Sequence, residues 1–149
     1  MKKAPRPDLR PAAAKTVDEL EGYAPPAGSA PEPIRAARRV PVGRLTARDA
    51  LTLLDHGQAA RYVLPRALEL LEADPWLSAH YDDGDLLVTV LELGPEQWPA
   101  GEEWRERLAA LARAALAAAT ERFDFERHAE AERRVRLATE RLEAGKAAS

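Results

Sequence analysis

Apolar positions in this chain recur in short helical periods, and proline or glycine closes each period. Thr46 and Asp49 form a T-x-x-D pattern ahead of Leu51, Leu53 and Leu54. A threonine there accepts from a first-turn N–H, and the aspartate complements the positive end of the helix dipole. Gly57 is suited to end that helix. The next run, QAARYVLPRALELLEAD, sets Val63, Ala67, Leu70 and Leu71 on one inward face, with Leu64 and Leu68 beside it. Pro65 predicts a kink or a fresh helix start near Leu64, because proline removes a backbone donor and crowds the preceding turn. Pro75 ends the run.

DGDLLVTVLEL then predicts a short apolar helix capped at Asp83 or Asp85. Its β-branched Val88, Thr89 and Val90 keep a strand as the alternative. LGPEQWPAG breaks the chain again. From Glu102 onward helix propensity is high, and Trp104, Leu108, Leu111 and Ala115 recur at helical spacing. Beyond Phe125 the large apolar residues thin to Val135, Leu137 and Leu142, which predicts a helical tail that projects and frays by Gly145. Ahead of all this, the first thirty residues are rich in proline and have no sustained apolar period. A helical turn at TVDELEG and a short helix at PEPIRAARR, opened by Pro33, complete the pattern. The reading is a mainly α fold, a small single-domain helical bundle. Residues 1–31 form a disordered, flexible arm, residues 32–125 the helical domain, and residues 126–149 a long projecting C-terminal helix.

Composition narrows the classes of function. The chain has no cysteine, which excludes disulfides and thiolate metal sites and fits a cytoplasmic protein. The N-terminus is basic but lacks the apolar segment of a signal peptide, and no apolar run approaches the length of a membrane span. The net charge of −3 hides three blocks. Residues 1–68 carry twelve Lys/Arg against seven Asp/Glu, and residues 107–149 carry nine against seven. Between them, residues 69–106 carry eleven Asp/Glu and a single basic residue, Arg105. A block this acidic repels nucleic acid and attracts basic protein surfaces. Asp82, Asp83, Asp85, Glu92 and Glu96 are its candidate partner-binding residues.

No catalytic constellation stands out. The loop Tyr81-Asp82-Asp83-Gly84-Asp85 lacks the spacing and terminal glutamate of a calcium loop, and no nucleophile or substrate cradle adjoins it. Helix capping accounts for it more simply. His56, His80 and His128 are too dispersed for a local metal motif, and His128 with Glu132 reads as a surface ion pair. Gly28-Ser29-Ala30 lacks the flanking pattern of a nucleophile elbow, and no phosphate-binding glycine loop occurs. LTARDALTLLDHGQAARYV has the outline of a helix-turn-helix. Its second helix offers only Gln58, Arg61 and Arg66 to DNA, is interrupted by Pro65, and is followed by acid. Trp76, Trp98 and Trp104 read as core. The expectation is a binding protein, not an enzyme, with no cofactor, no metal, no nucleic-acid partner and no membrane association.

Taken in order, several segments resemble the immunity proteins of contact-dependent growth inhibition systems. They are TVDELEG (16–22), the RAARRVPVGRLTARDAL run, Tyr62 with Pro65, ALELLEADP (67–75), and GDLLVTVLEL followed by Trp98. The likeness runs from residue 16 to about 110. Asp55-His56 and the SAHYDD loop depart from the strings usual in that family, which bears on which toxin is recognised. The resemblance implies a cytoplasmic protein that binds and neutralises a cognate toxin domain. If that toxin is a nuclease, its phosphate-holding cleft is basic, and an acidic surface suits it. The alternative is a helical adaptor or scaffold acting through its long C-terminal helix, with a DNA-binding regulator behind both.

Overall fold

The computed structural model describes residues 10–122 and 128–148, and these are helical apart from their connections. Among the described residues there are isolated β-bridges but no strand. Three short helices come first: α1 (Arg10–Ala13), α2 (Val17–Glu21) and α3 (Glu32–Arg38). The central layer is α4 (Ala47–Asp55), α5 (Ala60–Ala73) and α6 (Asp85–Leu91). Two longer helices, α7 (Glu103–Arg122) and α8 (Ala129–Ala148), cover one side of it. Tight 3-10 turns at Val42–Arg44 and Pro95–Gln97 link the groups.

The capping chemistry explains the starts and stops. Thr46 Oγ1 accepts from the Asp49 N–H at 3.1 Å, and Gly57 turns the chain left-handed after α4 at φ 64°. Thr16 and Glu19 form a reciprocal capping box on α2. Leu51, Leu53 and Leu54 of α4 are buried, as are Val63, Leu64, Ala67, Leu68 and Leu71 of α5. Leu70 is only half-buried, one step off the inward stripe. DGDLLVTVLEL takes the helical alternative, with Leu86, Leu87, Val88, Val90 and Leu91 all buried in α6. Trp104, Leu108, Leu111 and Ala115 pack inward from α7. Trp76 is fully buried, and its Nε1 donates to the Ala115 carbonyl at 2.7 Å, joining the end of α5 to α7.

Four expectations are corrected. Pro65 does not restart the helix: α5 begins at Ala60 and runs through it. The carbonyl left without its partner belongs to Arg61, one turn earlier on the exposed side, where solvent can serve it. The N-cap of α6 is Gly84, not Asp83 or Asp85.

Within the arm, α2 is docked. Val17 is fully buried, Thr16 bridges to Pro41, and Arg38, itself 2% exposed, reaches back to Asp18, Glu21 and the Tyr23 carbonyl. Residues 1–9 lie outside the described residues. The tail does not project either. α8 runs back along α7 and over α6, burying Val135, Ala138 and Leu142, while Arg141 donates to the Leu91 carbonyl. Small alanines on both helices permit that close approach, and the boundary expected at residue 125 falls outside the described residues.

Candidate functional site

The acidic loop between α5 and α6 is shaped from within. Gly84 takes a left-handed conformation at φ 83° and leads into α6. The Asp85 carboxylate then turns back into the loop. Its Oδ1 accepts from the Ala79 N–H at 2.9 Å and the Leu86 N–H at 2.7 Å. Its Oδ2 accepts from the His80 N–H at 3.0 Å and the Tyr81 N–H at 2.9 Å. Burial pushes the Asp85 carboxyl upward, but the four N–H donors outweigh it and hold the group below its ordinary pKa. A bridge between Ser78 and Asp83, and the Gly84 N–H donating to the Leu77 carbonyl, close the loop.

The five candidate residues therefore divide. Asp85 spends its carboxylate inside the protein. Glu92, at the end of α6, is paired with Arg134 of α8, whose Nε donates to Glu92 Oε2 at 3.0 Å. That pairing raises the Arg134 pKa against the opposing effect of desolvation. Asp82 and Asp83 are exposed at the loop crest beside Tyr81, which is 71% exposed. Glu96 is exposed on the 95–97 turn, beyond the far end of α6. His128 accepts the Glu132 backbone N–H on its carbonyl at 2.9 Å, and its ring reaches the acidic loop. Its Nε2 lies 3.4 Å from Asp83 Oδ2, an ion pair when the ring is protonated, while Glu132 pairs with Arg136 at 2.6 Å.

Between this loop and α8 lies an open cleft of about 580 Å³. Leu51 and Val88 line its apolar part, Asp55, Asp82 and Asp83 its acidic wall, and Ala131 belongs to the opposite wall. Asp55 accepts a long hydrogen bond from the Thr89 hydroxyl at 3.4 Å. Elsewhere the acidic block meets cations from other parts of the chain: Glu69 with Arg66, Glu72 with Arg107, and Glu106 with Arg113. Folding thus partly neutralises the block and leaves Asp82, Asp83 and Glu96 among its exposed carboxylates.

The residues that suggested a helix-turn-helix serve other ends. Gln58 accepts from Arg38, and Arg66 donates to the Leu45 carbonyl. The Arg61 guanidinium lies over the Tyr62 ring. Trp98 is half-buried under the Arg105 guanidinium, 5.1 Å from the ring centroid. Among the described residues, no group of three or more His, Cys, Asp or Glu is placed to hold a metal ion. None of their helices is long and apolar enough to cross a membrane. Sequence reasoning missed the role of α8 as a cleft wall. The only available signal was the run of Glu and Arg at helical spacing in 130–136, which reads equally well as a solvated surface.

Comparison with curated proteins and with solved structures finds no match. A family model described as CDI immunity proteins matches residues 26–108. That stretch includes α3 to α6, the acidic loop and the start of α7, and it covers more than half of the chain. Since that match covers more than half of it, the chain belongs to the family of contact-dependent growth inhibition immunity proteins.

Proposed function

We propose that this immunity protein neutralises its cognate toxin by presenting the 80–83 loop crest and Glu96 to a basic surface of the toxin domain, in the cytoplasm that the toxin enters. Membership of the family implies toxin neutralisation, and the finer reading concerns how the toxin is held. The observation that carries it is the crest itself. Exposed Asp82, Asp83 and Tyr81 stand at the mouth of the cleft, on a loop that Asp85 already holds in one conformation. A preorganised loop binds without a large ordering cost, and an exposed aromatic beside carboxylates suits an arginine or lysine from the partner. A nuclease toxin would supply such cations, since it needs them to hold phosphates. Asp85 and Glu92 belong to this reading as supports, the first through the loop and the second through Arg134.

The adaptor alternative rested on a free C-terminal helix. α8 buries its apolar residues in this same chain and leaves Leu137 as its one large exposed hydrophobic residue among those described.

The test is association kinetics with the cognate toxin domain. Asp82→Asn, Asp83→Asn and Glu96→Gln combined should slow association and flatten its dependence on salt, because long-range attraction is the contribution removed. Stability should change by about 0.5 kcal/mol or less per site, as is usual on a surface. Protection of cells that express the toxin should fall in parallel. Unchanged kinetics in a folded triple variant would remove this surface from the mechanism.

A further inference from the structure

The cleft has walls of two different origins. The loop and the faces of α4 and α6 belong to the stretch shared with the family, while the opposite wall is the first two turns of α8, outside that stretch. That wall is anchored at two points. His128 meets Asp83 at the mouth, and Arg134 grips Glu92 beyond it. Between the anchors, Glu130 and Ala131 line the cleft, and Glu130 is about two-thirds exposed.

We propose that α8 is the selectivity wall of this immunity protein. A segment of the toxin carrying a basic side chain seats in the cleft between the acidic loop and α8, and Glu130, Ala131 and Arg134 decide which segment fits. This rests on the toxin-binding reading above and adds the second half of the site. The occupant follows from the lining. Carboxylates of Asp55 and Asp82, together with Glu130, which Arg133 already pairs at 2.6 Å, line the cleft around an apolar part made by Leu51 and Val88, which accommodates an aliphatic stem ending in a cation. The small side chain of Ala131 keeps the wall open, and Arg134 rejects a cation placed too close to Glu92. Selectivity of this kind comes from an unfavourable contact for the wrong partner as much as from a favourable one for the right partner.

The two roles separate experimentally because they use different forces. Exchanging the charges of the wall, Glu130→Arg with Arg134→Glu, leaves the net charge of the protein unchanged. With the cognate toxin domain as probe, this variant should associate at the parental rate with the parental salt dependence, yet dissociate about tenfold faster or more. A variant that melts like the parent and also dissociates like it overturns the proposal. Should the exchange loosen α8, Glu130→Arg alone leaves the Arg134–Glu92 pair intact and decides the matter. Dissociation accelerated about tenfold supports the wall, and parental dissociation overturns it. The loop triple variant run alongside keeps the two ideas apart. Slowed association there, with parental dissociation in both wall variants, removes α8 from recognition and leaves the loop in it. Parental kinetics in all of them overturns both.

Discussion

Gly84 lies flat against the indole of Trp76. A Cβ on this glycine would stand 2.6 Å from Trp76 Cε3 and 2.8 Å from Cζ3. The ring cannot retreat, because it is fully buried and its Nε1 is bonded to the Ala115 carbonyl. The acidic loop is therefore seated directly on the core, so its shape depends on a contact that no partner sees.

Gly84→Ala should accordingly be severe. The residue has φ 83°, a conformation an L side chain resists, and the methyl group would also collide with the ring. Together these should cost about 2–4 kcal/mol. Chemical denaturation of the variant checks this, and a loss below about 0.5 kcal/mol, the ordinary surface range, would show that the loop sits elsewhere.

Asp85→Asn tests the loop clamp. The amide keeps one acceptor oxygen and replaces the other with a donor, which faces N–H groups that need an acceptor. Hydrogen exchange at the amides of Ala79, His80 and Tyr81 should accelerate, with a cost of about 1–3 kcal/mol. The sign of the pH effect follows from the lowered pKa. The carboxylate contributes stability above its unfolded pKa of about 4, and that contribution is lost as pH falls through the lower folded value. In the asparagine variant this part of the acid destabilisation should vanish. An acid limb identical to the parent's would contradict the clamp.

Arg38→Met should undock the arm. The guanidinium is nearly inaccessible and serves Asp18 at 2.7 Å, Glu21 at 2.6 Å, Gln58 at 2.9 Å and the Tyr23 carbonyl at 3.1 Å. Desolvation lowers its pKa, but the two carboxylates overcome that effect and raise it. Removing the guanidinium leaves partly exposed Asp18 and Glu21 without their shared cation and Gln58 and the Tyr23 carbonyl without a donor, which should cost about 1–3 kcal/mol. Deleting residues 1–24 should likewise lower the melting temperature, since it removes the fully buried Val17 along with both carboxylates. Parental melting in both variants would mean that the arm contributes nothing to the fold.

Leu71→Ala and Leu70→Ala should differ. Leu71 is fully buried and should lose about 2–5 kcal/mol, whereas half-buried Leu70 should lose less. Equal losses measured by urea unfolding would place the inward stripe of α5 incorrectly.

Much of this molecule was determined by local chemistry, and so was legible in the chain. Thr46, Asp49 and Gly57 bound α4, and the capping box of Thr16 and Glu19 starts α2, because caps act over three or four residues. The inward faces of α5 and α7 follow from apolar spacing for the same reason. The family, too, was written in the order of short segments along the chain. What only the tertiary structure decided is everything that joins distant residues. A tail of alanine, glutamate and arginine reads as a projecting helix until Val135, Ala138 and Leu142 find the surface of α6 and α7. Asp85 reads as a cap or a contact until the chain curls so that four N–H groups converge on it. The acidic block reads as one surface until Arg107, Arg113 and Arg134 arrive from later in the chain and leave the loop crest exposed. Caps and periodicity are short-range and survive reading in one dimension. Charge pairing and helix docking depend on which surfaces meet, and that is settled only when the chain has packed.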